Sequence, residues 1–77
     1  MSITIDDICV LISVQLGLNG VKSQDLIQAN LGADSVDMVN IAATAEEKYQ
    51  IEISETDLVS IKTAADLHRL VARLANS

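Results

Sequence analysis

The residues that most readily break a helix are confined to one stretch of this chain. There is no proline, and the three glycines, Gly17, Gly20 and Gly32, all lie before residue 33. Glycine and proline are the main interrupters of regular backbone, so one long punctuated connection runs from Gly17 to Ala33 and the flanks are free to be helical. The flanks carry the matching apolar pattern. Ile5, Ile8, Ile12 and Leu16 recur at helical spacing, with Leu11 widening the stripe. Thr4 followed by Asp7 has the form of a capping box with the shorter acid, Gly17 suits a C-cap, and Asn19-Gly20 reads as a turn. A second helix is expected to begin at Asp34 or Ser35, either of which can accept from its first free N–H groups. Its stripe is Met38, Ile41, Ala42, Ala45 and Tyr49. A last helix starts at Thr63, again with an acid three residues on, Asp66. Ala64, Leu67, Leu70, Val71 and Leu74 form its apolar face, and Arg69 and Arg73 suit its C-terminal half.

Two connections need separate treatment. Residues 49–53 alternate with period two, but no second strand is available, and a lone strand leaves its backbone groups unpaired. The expectation is an extended connector with two buried isoleucines, Ile51 and Ile53. Ser54, with Asp57 three residues on, then opens a short helix carrying Leu58, Val59 and Ile61. The connection from Gly17 to Ala33 exceeds the usual helix–helix loop of roughly 2–8 residues. It must be anchored, and Val21, Leu26, Ile27 and Leu31 are the candidates. Residues 1–77 are thus expected to form one all-α domain, a small four-helix bundle of three main helices plus one short helix.

Composition limits what such a bundle can be. The chain has 77 residues and one aromatic, Tyr49, so its core must be built from Ile, Leu, Val and Ala. A core of this size supplies only about 3–5 kcal/mol of net stability. Cys9 is the one cysteine, which removes a disulfide framework and Cys-rich zinc sites and fits a reducing cytoplasm. It is expected to pack as a small hydrophobe. Asp6 and Asp7 stand where a signal peptide wants basic residues. The longest uncharged run, Ile8 to Val21, is shorter than the ~20 apolar residues of a membrane span. A cytoplasmic monomer without membrane insertion is expected.

Eleven acids against five bases give a net charge of −6. Seven of the acids (Asp34, Asp37, Glu46, Glu47, Glu52, Glu55, Asp57) lie between residues 34 and 57 with one base, Lys48. The other acids and bases balance, so the whole net charge lies in that window. Such a chain repels a phosphate backbone, which argues against nucleic acid as a partner, and anionic membrane surface is disfavoured for the same reason.

Catalytic patterns are mostly missing. His68 falls mid-helix beside the apolar stripe, a surface or boundary position rather than that of a general base. Ser35 is not in a G-x-S-x-G elbow, Asp34 and Asp37 do not begin a calcium loop, and no phosphate-binding G-x-x-x-x-G-K occurs. No metal site is expected. What remains is Ser35 at the first turn of an acidic helix, after a flexible Leu31-Gly32-Ala33 approach. Free backbone N–H groups and the helix dipole favour a phosphate there. A serine at this place can also be no more than the N-cap.

The segment Leu31-Gly32-Ala33-Asp34-Ser35-Val36-Asp37 resembles the phosphopantetheine attachment motif of acyl carrier proteins, usually Leu-Gly-Ala/Gly-Asp-Ser-Leu-Asp. The resemblance extends over nearly the whole chain. Glu46-Glu47-x-Tyr49-x-Ile51-x-Ile53 matches the family's acidic helix end and following connector, and Lys62-Thr63-Ala64-Ala65-Asp66-Leu67 matches the start of its last helix. It implies an acyl-carrier-like fold and a protein that is not an enzyme. A phosphopantetheinyl transferase, with magnesium and coenzyme A, would place a 4'-phosphopantetheine arm on Ser35, next to Asp34, and the arm would hold acyl groups as thioesters. Fatty-acid, polyketide or related secondary-metabolite synthesis is the implied setting. Asp34, Val36, Asp37, Met38, Glu46 and Glu47 would meet basic docking patches on acyl-loading and acyl-processing enzymes. Ile41, Ala42, Ala45, Tyr49, Ile53 and Ile61 are the candidates to line an acyl pocket. The small Ala42, Ala43 and Ala45 either let helices approach closely or leave room between them.

Some residues depart from the family's pattern. Asn40 stands where a glutamate is common, Lys48 interrupts the usual acidic triplet, Asn30 replaces an acid before the Leu-Gly pair, and Val36 replaces leucine. These changes suggest a specialised carrier serving its own enzymes. An aminoacyl or peptidyl carrier would use the same arm, though Ala33-Asp34 favours acyl cargo over the Gly-Gly-His-Ser more usual there. An unmodified helical interaction module would share the fold alone, and a small hydrolase would need Ser35 and His68 together.

Overall fold

The computed structural model describes residues 3–76, so Met1, Ser2 and Ser77, the ends of the expected domain, lie outside the described residues. Four helices follow in order: α1 (Ile5–Leu16), α2 (Ser35–Tyr49), α3 (Glu55–Ser60) and α4 (Ala64–Ala75). The all-α bundle of three main helices and a short one is therefore what the chain adopts. Among the described residues there is no strand, only one isolated antiparallel bridge between Leu26 and Thr63.

The helix starts are set by local side-chain chemistry. Thr4 and Asp7 exchange bonds across the first turn of α1, the Thr4 Oγ1 accepting from Asp7 N at 3.1 Å and Asp7 Oδ2 from Thr4 N at 3.1 Å. Thr63 and Asp66 repeat the arrangement at α4, and the Ser54 hydroxyl caps α3 by accepting from Asp57 N. Each such cap contributes about 1 kcal/mol by satisfying donors the helix cannot. At the other ends, α1 closes on Gly17 in the left-handed region at φ 67°. Gln50 closes α2 in the same region at φ 55°, where glycine would sit without strain.

Ile8, Ile12, Ile27, Ile41, Leu67 and Val71 are the fully buried centre of the core. All three main helices and the first loop contribute, which is why the aromatic-poor composition suffices. Asp7 lies in one surface hollow with Lys48, Tyr49 and Asn76, so α1 runs antiparallel to both α2 and α4. Ala45 is completely buried within the core cluster, so a larger side chain there would press on its neighbours. Ala45→Leu is therefore expected to destabilise the fold by about 1–3 kcal/mol through overpacking. A lower urea midpoint is the readout; an unchanged one would mean that free space exists at this point.

The long first connection is anchored differently from expectation. Val21 and Ile27 are buried and Leu31 is half-buried, but Leu26 is 41% exposed. Its backbone does the anchoring instead: Leu26 pairs with Thr63 in the isolated bridge, and the next residue, Ile27, donates to Lys62 O at 2.9 Å. With two adjacent apolar residues in extended backbone, only one can face the core. Ile51 and Ile53 are half-buried rather than buried, packed on the margin of the cluster.

His68 is half-buried, and its Nε2 lies 2.7 Å from the Ile3 carbonyl oxygen, tying α4 to the start of the chain. Ile3 shares the hollow at the Tyr49 end of α2, whereas Ser35 is the first residue of that helix. Fifteen helical residues span about 22 Å, so His68 and Ser35 stand at opposite ends of the bundle and make no catalytic pair.

The acid-side stability of the bundle should depend on its caps. Backbone N–H groups of Lys62 and Thr63 hold the Asp66 carboxyl below its ordinary pKa, with Arg69 adding a smaller effect. The Thr4 backbone and hydroxyl do the same for Asp7. A group whose pKa is depressed by folding contributes stability that is present above its unfolded value, about 3.9 for aspartate, and lost as pH falls through the folded value. Denaturant midpoints are expected to fall below about pH 4, and Asp7→Asn with Asp66→Asn to flatten that fall. An equally steep acid limb in the double variant would assign it to other carboxylates.

Candidate functional site

Ser35 is the first residue of α2, and the helix cap is its neighbour. Asp34 Oδ1 accepts from Asp37 N at 2.8 Å, and Asp37 Oδ2 accepts from Asp34 N at 3.2 Å. This reciprocal box takes over the duty that Ser35 could have had. Ser35 is exposed, and among the described residues no protein group takes up its hydroxyl. The approach to it is held rather than flexible. Gly32 N donates to Gln28 O at 3.1 Å and Ala33 N to Ile27 O at 3.2 Å, with Ala33 itself buried. Gly32 sits at φ 75°, a value that suits glycine. A free hydroxyl is thus presented on a well-supported corner.

Beside that hydroxyl lies an open hollow of about 290 Å³ between α2 and α3. Met38, Val39, Leu58, Val59 and Ile61 form its apolar wall, and Gln28 and Lys62 supply polar groups. Val39 and Val59 of that wall are 54% and 71% exposed, and Val36, the neighbour of Ser35, is 65% exposed. Val36 and Val39 on α2 and Val59 on α3 thus put exposed apolar surface beside a helix otherwise edged with acids.

The other candidates are distributed as follows. Asp34, Val36 and Glu47 are exposed and Asp37 is half-buried, all on α2 or its cap. Met38 is 6% exposed and belongs to the core and the hollow's wall, not the outer surface, because the helical stripe turns it inward. Glu46 is half-buried, and its Oε2 accepts from Ile53 N at 2.9 Å, so its carboxylate also fixes the connector after α2. Of the six apolar candidates, Ile61 reaches the hollow by Ser35. Ile41, Ala42 and Ala45 are buried in the bundle, and Tyr49 and Ile53 are half-buried further along. The Tyr49 hydroxyl is buried without a hydrogen-bond partner among the described residues, and burial pushes its pKa up. Cys9 is buried, with its thiol pushed up by burial and then by Asp6 and Asp25; such a thiol is a poor nucleophile.

Val39, Leu58, Val59, Gln28 and Lys62 were not among the site residues expected from the sequence. Val39 had a signal: it lies four residues after Ser35 and so on the same helix side. Leu58 and Val59 had a weaker one, since adjacent apolar residues in a short helix cannot both point inward.

Residues 6–71 match the family described as phosphopantetheine attachment site. The chain is 34% identical over 73 residues to an acyl carrier protein of Chlamydia muridarum (strain MoPn / Nigg), covering 92% of this chain and 95% of that one. It is 37% identical over 68 residues to an acyl carrier protein of Wolinella succinogenes, covering 86% and 90%. The chain belongs to the acyl carrier protein family. The fold agrees: the solution structure of an oxytetracycline acyl carrier protein superposes with a TM-score of 0.78 at 18% identity, covering 99% of this chain and 85% of that one.

Acyl carrier proteins are carriers rather than enzymes, and their cofactor is a covalently bound 4'-phosphopantetheine. The residues of this acyl carrier protein suit the group. A hydroxyl free of capping duty, a helix start that favours an anion, and a hollow with an apolar wall and two polar side chains meet at one point. Its work is with a phosphopantetheinyl transferase and the enzymes of acyl synthesis in general. Among the described residues, no helix is long and apolar enough to cross a membrane.

Proposed function

We propose that Ser35 is the attachment point of the phosphopantetheine and that this chain serves its own dedicated set of enzymes in fatty-acid, polyketide or related secondary-metabolite synthesis. The observation that carries the first part is the unused Ser35 hydroxyl, exposed at the first position of α2 and at the lip of the α2–α3 hollow. Asp34 and Asp37 lock the turn that presents it. When bound, the arm supplies a thiol that holds acyl groups as thioesters. The chain's own part is to keep Ser35 Oγ accessible to the transferase and to offer Asp34, Asp37 and Glu47 to cationic surfaces of successive enzymes. Such charges set orientation and encounter rate more than affinity, which suits a carrier that must leave each enzyme again.

Support for a dedicated pathway comes from the surface next to Ser35. Asn40 and Lys48 are exposed and interrupt the acidic edge of α2, while Val36, Val39 and Val59 add an apolar rim. Partners with a strictly basic groove fit this surface poorly; partners with an apolar centre and fewer cations fit it well. In this reading the carrier acts as a monomer in the cytoplasm.

The deciding experiment treats the purified chain with coenzyme A, magnesium and a broad-specificity transferase. Intact mass should rise by one phosphopantetheine, and peptide mapping should place it on Ser35. No gain, or a gain elsewhere, overturns the assignment. Efficient replacement of a housekeeping carrier in a reconstituted fatty-acid synthase would overturn the dedicated pathway alone.

A further inference from the structure

We propose that Lys62 is a positioning residue for the arm: its ammonium pairs with the phosphodiester on Ser35 and lays the adjoining part of the arm along the α2–α3 hollow. The inference rests on Ser35 being the attachment point.

Lys62 lies in the turn between α3 and α4 and lines the same hollow as Ser35. Its structural contacts are made by its backbone. Lys62 N donates to Asp66 Oδ2 at 3.0 Å, and Lys62 O accepts from Ile27 N at 2.9 Å. These bonds pin the residue while the exposed side chain stays unspent. The other cations near α3 and α4 are committed: Arg69 pairs with Asp66, and Arg73 with Asp57 at 3.5 Å. Lys48 lies over the Tyr49 ring, 5.7 Å from its centroid, at the far end of α2. Among the described residues, no carboxylate forms an ion pair with Lys62.

The charge around Ser35 gives that cation a purpose. Asp34 and Asp37 already stand at the helix start, so a phosphodiester there adds a third negative charge within a few ångströms. The phosphorus is one bond from Ser35 Oγ, so the phosphate is the part of the arm held at the hollow that Lys62 lines. A carboxylate on the cargo, at the far end of the arm, would have to fold back to reach it. Beyond the phosphate, the arm's branched dimethyl carbon meets Val39, Leu58 and Val59, and its amides meet the Gln28 side chain. Val39 and Val59 are exposed without the arm, so they gain cover by this docking.

An ion pair at an exposed site is weak and screened by salt, so the pairing biases the arm without trapping it. The test uses the holo protein, with loading verified by intact mass, and compares wild type with Lys62→Met, Lys62→Arg and the remote control Lys22→Met. Phosphorus NMR reports the phosphodiester, and nuclear Overhauser contacts report the arm's methyls against Val39 and Val59. Lys62→Met is expected to weaken those contacts about 1.4- to 5-fold and to shift the phosphorus resonance. Lys62→Arg and Lys22→Met should retain the wild-type spectra, and raising salt from about 0.01 to 0.15 M should reproduce the Lys62→Met change. Loaded protein with the same spectra in Lys62→Met, or with no methyl contacts in wild type, overturns the role of Lys62 alone. Failure to gain mass overturns the attachment reading, and this inference with it.

Discussion

Ser35→Ala is expected to abolish loading completely while leaving stability within about 0.5 kcal/mol of wild type, the range of ordinary surface changes. The two halves of this result come from different features. Loading fails because, with Ser35 as the proposed attachment point, the substitution removes the oxygen that would accept the phosphopantetheinyl group. Stability survives because Ser35 is exposed and does not cap the helix; Asp34 does, by accepting from Asp37 N at 2.8 Å. Had Ser35 been the cap, its loss would have cost about 0.5–2 kcal/mol. Alanine also has a slightly better helix propensity than serine, which offsets any small loss of solvation. Intact mass after transferase treatment and a urea titration followed by circular dichroism measure both halves. A Ser35→Ala chain that still gains mass would place the arm elsewhere. One that loses more than about 1 kcal/mol would show that serine shares the capping duty.

That separation was legible in the sequence in one respect and hidden in another. Asp34 and Ser35 are both good caps, and the choice between them depends on which has a reciprocal acid three residues on. Asp37 answers to Asp34, as Asp7 answers to Thr4 and Asp66 to Thr63. Caps and apolar stripes are local, spaced by the helix itself, so all four helix starts could be read to within a residue. The hollow beside Ser35 could not, because its walls depend on how α3 is rotated against α2. A six-residue helix has no room for a repeating stripe to fix that rotation. Glu46 shows the same limit for charge. As a member of an acidic run it reads as a surface group, yet its carboxylate accepts from Ile53 N seven residues on. Nothing in the local pattern distinguishes a carboxylate turned to solvent from one turned to a passing backbone. Both kinds of loss concern tertiary placement, and both fall at the site, where the family resemblance rather than periodicity named the serine.

The first loop provides the largest expected effect on folding. Ile27→Ala is expected to destabilise the bundle by about 2–5 kcal/mol, the range for truncating a fully buried aliphatic side chain. Ile27 is completely buried at the centre of the core, although it lies in no helix. Its backbone is engaged on both sides, N donating to Lys62 O at 2.9 Å and O accepting from Ala33 N at 3.2 Å. The side chain therefore links three things: the core, the α3–α4 turn and the approach to Ser35. A chain of this size draws only about 3–5 kcal/mol from its core, so the variant should be largely unfolded, or nearly so, at room temperature. The neighbouring Leu26→Ala supplies the contrast. Leu26 is substantially exposed and is held by backbone pairing that alanine preserves, so its cost should stay below about 1 kcal/mol. Denaturant titrations of the two variants under the same conditions decide the matter. Losses below about 1 kcal/mol in both would mean that the loop is held by its backbone alone. A loss confined to Ile27→Ala would mean that one loop isoleucine, by filling the core, also keeps the Ser35 corner in place. In that case, loading by the transferase should fall in step with the folded fraction.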